Sequence, residues 1–296
     1  MGERGRRDFT QTMKTYLDCY PCFLRQALEA AREAGASEIV QYKVVHKVLE
    51  EIIKFDPQRS PPEMAAKIHA IVRLETKSRD PYLKTKKKDT ELSLKLYPKL
   101  KNLVAKASDP FEVAVRLAIA GNIIDVGVPG DYDIEATVKR VLNQPFAIND
   151  QAKLQRALEG VSSLLYLADN AGETVFDRIL IEEIGKTTRF VVKAGPVLND
   201  ATKEDAIASG LDTVTNIIDH GSDAPGTVLS LCSAAFVHEF QEAPLIIAKG
   251  QANYECLSDC ENNIFFLLQA KCPLIAHDLG VPVRSVVLRQ GGLKSK

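Results

Sequence analysis

Asp169 and Asn170 close a short apolar run, Leu164-Leu-Tyr-Leu-Ala168, and Ala171-Gly172-Glu173 leads from them into an amphipathic stretch. That order is the signature of a strand handing over to a helix, with a carboxylate and an amide at the junction. In open α/β sheets ligands bind along this rim, and the free backbone N–H groups of a starting helix favour anions. A carboxylate beside an anion-binding helix start makes chemical sense if a cation lies between the two. Asp and Asn offer hard oxygen donors suited to Mg²⁺ or Mn²⁺. Neither His nor Cys adjoins them, which argues against zinc at this position. The chemistry suggested is a metal-and-phosphate site; the simpler reading of Asp169 is the N-cap of the helix that follows.

The residues after the other strand-like runs carry the same chemistry. One run ends in Lys193-Ala-Gly195 followed by Pro196-Val-Leu-Asn-Asp200, the next leads to Asp219-His-Gly-Ser-Asp223, and another to Lys249-Gly-Gln-Ala-Asn253. Parallel strands point the same way, so these groups are expected to gather on one rim. Asp205, one turn into the helix-like stretch after Asp200, is a further candidate oxygen donor; its alternative role is a Thr202-x-x-Asp205 helix cap. Lys249-Gly250 suits a phosphate, a point charge followed by a residue with no side chain to block close approach. His220 is a candidate acid or base, and a better one than His238, which falls within a helical stripe. No GxGxxG follows a strand, and neither the GxxxxGK[ST] nor the GxSxG pattern occurs.

Six cysteines are present. Cys19-Tyr-Pro-Cys22 has CxxC spacing, and Cys256-Leu-Ser-Asp-Cys260 sets two thiols about one helical turn apart. The two pairs together are a candidate second metal site, and Cys19/Cys22 a candidate redox pair. The plain alternative is reduced thiols, some of them packing as small core residues.

The elements that must position these groups fall into two parts. Residues 16 to 145 read as helices. Apolar spacing runs from Cys22 to Ala34 and stops at Gly35, and Ser37 caps a second helix to about Lys54. In that second helix Ile39, Val40, Val44, Val45, Val48, Leu49, Ile52 and Ile53 are expected to form the buried stripe. Pro61-Pro62 opens a third helix, others are expected over roughly 90–106, 110–121 and 133–142, and Lys84-Thr-Lys-Lys-Lys88 reads as a solvated loop. Beyond residue 150, apolar runs at 164–168, 190–192, 213–218, 244–248, 264–268 and 285–288 are strand-length. Helix-like stretches near 172–184, 202–209, 226–240 and 273–279 separate most of them. Continuously apolar strands alternating with helices indicate a mostly parallel sheet covered on both faces. The expected organisation is a flexible N-terminus (1–15), a helical domain (16–150) and a Rossmann-like α/β domain (151–296).

Composition narrows the class. Of 296 residues 45% are apolar and 26% charged, ordinary globular usage. No run approaches the roughly 20 apolar residues that span a bilayer, and the N-terminus carries charge without an apolar core, so a cytoplasmic protein without membrane or secretory signal is expected. Net charge is −1, yet residues 1–110 hold 22 Lys and Arg against 15 Asp and Glu, while the remainder holds 16 against 24. A basic half facing an acidic one suits an anionic substrate near metal-binding carboxylates. The basic run lacks interleaved aromatics and Trp is absent, so nucleic acid is not expected as a partner.

Taken together, Asp169-Asn-Ala-Gly-Glu173, Gly121-Asn-Ile-Ile-Asp125 upstream and Lys249-Gly-Gln-Ala-Asn253 downstream resemble the damage-control phosphatase family. That family was long catalogued as domain of unknown function 89 and is related to proteins described as acidic-residue methyltransferases. Cys19-Tyr-Pro-Cys22-Phe-Leu-Arg-Gln26 resembles its microbial, cysteine-bearing subgroup, and the likeness spans about residues 16 to 290. The resemblance implies a phosphatase using Mn²⁺, Mg²⁺, Co²⁺ or Ni²⁺ on small phosphorylated metabolites. Asp169, Asn170 and Asp205 then match the metal ligands. Lys249 matches the phosphate contact beside Gly250, Lys193 and Glu173, and Asn122 and Asp125 match the helical domain's share of the pocket. The attacking group is left open between water and an aspartate such as Asp169. Two rival functions stand beside this one. A carboxyl methyltransferase using S-adenosylmethionine would want a glycine-rich first loop and an acid ending the second strand, where Lys193 stands. The other is a non-catalytic module that recognises a phosphorylated ligand.

Overall fold

A computed structural model describes residues 13–121, 139–140 and 142–291. Asn122, Asp125 and most of the helix expected over 133–142 lie outside the described residues. Three helices open the chain: α1 (Cys19–Glu33), α2 (Glu38–Lys54) and α3 (Pro61–Thr76). Each boundary has a local cause. Gly35 takes φ +68° just past α1, a conformation that costs glycine little. Ser60 and Glu63 form a capping box ahead of Pro61 at α3. Phe23, Ala27, Val44, Val48, Met64, Ile68 and Val72 form the core these helices share.

The next two helices belong to a different core. Helices α4 (Leu83–Ala105) and α5 (Pro110–Gly121) pack against the sheet layer, and Val115, Leu117 and Ala118 lie in one cluster with Tyr166, Phe176 and Phe190. Asp109, just before Pro110, caps the start of α5, its Oδ1 accepting the Glu112 backbone N–H at 2.9 Å.

Two expectations for this half are corrected. Only Val44, Val48 and Ile52 of α2 are buried, whereas Ile39 (81% exposed), Leu49 (39%) and Ile53 (83%) face outward. The helix carries apolar residues on two faces, and α1 and α3 cover one. The lysine run at 84–88 is the first part of α4 rather than a loop. Lys86 is buried there because it pairs with Asp80 and Asp205, each at 2.8 Å.

Seven strands form one sheet: β1 (Phe146–Asn149), β2 (Ser163–Leu167), β3 (Thr187–Val192), β4 (Asn216–Asp219), β5 (Ile246–Lys249), β6 (Ile264–Gln269) and β7 (Val286–Gln290). Their spatial order is β1-β7-β6-β5-β2-β3-β4. All pairs are parallel except β6 with β7. The connecting helices are α6 (Gln151–Glu159), α7 (Thr174–Ile184), α8 (Lys203–Ala208), α9 (Ala234–Glu242), α10 (Gly250–Leu257) and α11 (Pro273–Leu279). The fold is therefore a mostly parallel α/β sheet with a helical N-terminal region, as the apolar runs indicated.

Strand β1 escaped the sequence reading because it is a four-residue edge strand whose burial alternates between half-buried and exposed. The fourth strand starts at Asn216, since Leu211–Thr213 forms a 3₁₀ turn, and α9 starts only at Ala234. After β2 the chain winds outward through β3 and β4, then returns to place β5 on the other side of β2. The carboxyl ends of β2 and β5 therefore flank the topological switch point, the usual ligand position in such sheets. Among the described residues no helix is long and apolar enough to cross a membrane.

Candidate active site

Two loops are stitched together at that switch point. Asp169 follows β2 and Asp200 follows β3; Ala201 N–H donates to the Asp169 carbonyl and Ala171 N–H to the Asn199 carbonyl, both at 2.8 Å. Asn170 and Asp200 also form an isolated antiparallel bridge. These backbone bonds bring two carboxylates, Asp169 and Asp200, into one buried place. Burial pushes the Asp169 carboxyl well above the ordinary range, and the charges of Glu173 and Asp200 add to it. Burial likewise raises Asp200 to about 6, against the pull of Lys193. Asp200 Oδ2 has no hydrogen-bond partner, the Lys193 ammonium standing at 3.6 Å. Asn170 turns its amide nitrogen to Glu173 Oε1 at 2.5 Å and Asp169 Oδ2 at 3.3 Å, which directs the amide oxygen elsewhere.

A second group of charges lies behind this one. Lys249, at the end of β5, is fully buried and donates to Asp177 Oδ1 at 2.6 Å and Glu173 Oε2 at 3.0 Å. Burial alone would lower its pKa, but the charges of Asp177 and Glu173 outweigh it and hold the ammonium protonated. Tyr166 donates to the same Asp177 oxygen at 2.7 Å. The ladder Lys249–Glu173–Asn170 thus fixes the amide that adjoins Asp169. Gly250 has φ +79°, and a Cβ placed on it would lie 1.9 Å from Asp169 Oδ2. Only glycine lets α10 begin this close to the carboxylate. Asn253 completes the junction, donating to the Ala168 and Lys249 carbonyls and accepting from Thr227 at 2.7 Å.

Asp169, Asn170, Asn199 and Asp200 open onto a cavity of about 870 Å³ whose other walls come from α1, α3, α10 and the β6–α11 loop. Arg25, Lys271, Gln251 and Glu255 line it, with Cys19, Cys22 and Cys272. The positive charge of Lys271 reaches Asp169, whose carboxyl it pulls down against burial.

The structure brings some of the expected site residues together and separates others. Asp169 and Asn170 face the cavity. Glu173, Lys193, Lys249 and Gly250 lie behind them and do not line it. Asp205 stands elsewhere: its Oδ2 accepts from Thr202 N at 3.0 Å, Thr202 Oγ1 at 2.7 Å and Lys86 Nζ at 2.8 Å, so it serves the cap of α8 and anchors α4. Asp200 and Lys271 occupy the cavity positions not singled out from sequence. A signal for Asp200 existed, since the cap accounts for Asp205 and leaves Asp200 as the unassigned acid of Asn199-Asp200.

The cysteine pairs also part. Cys256 is buried in the core beneath the sheet and Cys260 packs against that core, whereas Cys19 and Cys22 line the cavity together with Cys272. No group of three His, Cys, Asp or Glu side chains that could hold a metal occurs among the described residues; a set of two aspartates and one asparagine contains only two such groups. His220 is buried away from the cavity, its Nδ1 accepting from Ser222 N at 3.2 Å.

The chain is similar to known proteins along most of its length. Residues 15–287 match the family described as Damage-control phosphatase ARMT1-like domain. An uncharacterized protein of Methanocaldococcus jannaschii is 35% identical over 94% of this chain and 96% of its own length. Two proteins named damage-control phosphatase are similar as well. That of Pyrococcus horikoshii is 33% identical over 95% of this chain and 100% of its own, and that of Archaeoglobus fulgidus 36% identical over 76% and 81%. The crystal structure of the Pyrococcus horikoshii protein, described as a DUF89 family protein, superposes with a TM-score of 0.88 at 33% identity, covering 94% of this chain and 99% of that one. With the family matched over nearly the whole chain and both named relatives phosphatases, the chain belongs to the damage-control phosphatases of the ARMT1-like family and is an enzyme of that kind.

Proposed function

We propose that the protein hydrolyses small phosphorylated metabolites with a divalent cation held by Asp169, Asn170 and Asp200. The observation that carries this reading is the meeting of two buried carboxylates at the switch-point cavity, with one oxygen of Asp200 accepting no hydrogen bond. Two like charges crowded out of water each resist ionisation, and a cation between them would remove that penalty. Hard oxygens fit Mg²⁺ or Mn²⁺, and the family resemblance adds Co²⁺ and Ni²⁺. When bound, such an ion polarises a phosphoryl oxygen and offsets the charge that builds as the P–O bond breaks.

The protein's own groups do the rest. Lys271 and Arg25 supply positive charge from the cavity wall to a phosphate dianion. Glu173 holds the Asn170 amide in place, and Lys249 holds Glu173. Lys193, buried between the Ala168 carbonyl at 3.3 Å and Asp200 at 3.6 Å, limits repulsion between the two aspartates. Most catalysis of phosphoryl transfer is positioning and charge stabilisation of this sort. Nothing among the described rim residues favours the methyltransferase reading: Lys193 follows β3, where an acid would be wanted for the cofactor ribose.

The test is hydrolysis of a generic aryl phosphate with Mn²⁺. Asp200→Asn is expected to lower turnover by about 10²–10³-fold, the usual cost of losing one preorganised electrostatic group, and to abolish the thermal shift that Mn²⁺ produces. Asp205→Asn is expected to keep the Mn²⁺ shift and to lower stability instead. Full activity in Asp200→Asn would remove Asp200 from the site.

A further inference from the structure

Helix α2 presents an apolar stripe that no described residue covers. Ile39, Tyr42, His46, Leu49 and Ile53 are all exposed, three of them by more than 60%. They repeat with alternating spacings of three and four residues, the a/d pattern of a helix that packs against another helix. The opposite face, Val44, Val48 and Ile52, is already buried against α1 and α3. A helix with apolar residues on two faces is normally buried on both.

The flanking charges identify what fits. Lys43 and Glu50 sit at the two positions that follow the stripe residues Tyr42 and Leu49, one basic and one acidic. An antiparallel copy of the same helix, crossing near the middle of the stripe, lays Tyr42 against Ile53 of the other copy and Leu49 against His46. In that same register Lys43 meets Glu50 of the other copy, and the pair recurs across the two-fold axis. Lys43 pairs with Glu75 at 2.6 Å, but Glu75 is also held by Lys47 at 2.5 Å and the Lys43 side chain is 60% exposed, so it can turn to a new partner without leaving Glu75 unpaired. Glu50 makes no ion pair among the described residues. A surface that complements itself about a two-fold axis is the mark of an isologous dimer. Two such stripes, covered together, reach roughly the 1,000 Å² that a specific interface needs.

We propose that the protein forms a homodimer through antiparallel packing of α2 on α2. The cavity opens between α1, α3, α10 and the strand ends, so dimerisation leaves the active site of each copy in place, and the proposal stands apart from the metal assignment.

Sedimentation of the full-length protein over a range of micromolar concentrations tests it. Wild type is expected at twice the 32.6 kDa of one chain, and Tyr42→Ser/Ile53→Ser at the single-chain mass with unchanged thermal unfolding and unchanged aryl phosphate hydrolysis. Glu50→Lys is expected to weaken the dimer about tenfold, as two exposed ion pairs become repulsive, and Lys43→Glu/Glu50→Lys to recover it. A wild type that stays monomeric at every concentration overturns the proposal, whether the stripe is then left bare or taken by a different protein. A dimer that survives the double serine variant, or that the charge exchange fails to restore, overturns it equally.

Discussion

At the scale of single residues, the division of labour among charged groups follows from what each one touches. Lys249 looks from sequence like a phosphate ligand, a lysine before a glycine at a strand end. Its ammonium instead neutralises Glu173 and Asp177 in the interior, where removing one partner of a buried pair leaves an uncompensated charge. Lys249→Met is therefore expected to lower folding stability by about 3–5 kcal/mol, seen as an earlier midpoint in urea unfolding. A phosphate-binding lysine would behave differently, raising KM for an aryl phosphate while leaving the unfolding midpoint where it was. Asp205 makes the same point from the other side. Three donors already converge on one of its oxygens, so its place in the motif is explained by helix capping and by the buried Lys86.

At the scale of elements, the junction from β5 to α10 sets the geometry of the site. Chain direction must change within one residue while the carboxylate of Asp169, arriving from β2, occupies the space beside it. Gly250→Ala places a methyl group in that space and asks alanine for a left-handed φ, which costs about 1–2 kcal/mol. The displaced carboxylate is expected to lower Mn²⁺-dependent turnover about 10²-fold, the effect of misplacing a reacting group by an ångström or so. Steady-state kinetics alongside thermal unfolding separates the two losses; wild-type kcat in Gly250→Ala would mean that Asp169 need not sit where the glycine allows it. Helix α4 contributes at the same scale. Through Lys86 it ties the helical region to Asp205 on α8, and through Thr90 and Ser93 it buries polar groups rather than a plain apolar face.

At the scale of the whole molecule, two histidines report on folding. His69 in α3 and His220 after β4 are both buried, and desolvation lowers each to about 3. The unfolded chain takes up a proton on each near pH 6.5, whereas the folded chain does not until about pH 3. The stability each contributes is therefore complete above pH 6.5 and is lost as the pH falls through that window. The slope is about 1.4 kcal/mol per pH unit for one histidine. His69→Gln is expected to unfold more easily than wild type at pH 7, and the difference is expected to shrink by about that slope down to pH 4. Urea titrations at several pH values measure it; a constant difference would mean that His69 titrates alike in both states.

The chain announces its local chemistry directly. Apolar runs of strand length, the Pro61-Pro62 opening of a helix and a carboxylate–amide pair at the end of β2 all depend on neighbours within a few residues, and each was legible as written. The mostly parallel sheet follows from their alternation. What stayed hidden depends on partners far along the chain. Two backbone hydrogen bonds between the loops after β2 and β3 place Asp200 beside Asp169. Packing against Glu173 and Asp177 buries Lys249, and an ion pair across 119 residues buries Lys86 within a run that reads as solvated. Ile39 and Ile53 were indistinguishable from core residues until α1 and α3 had taken the other face of α2. Side-chain type specifies what a group can do, but desolvation and pairing are set by whichever segments fold against it.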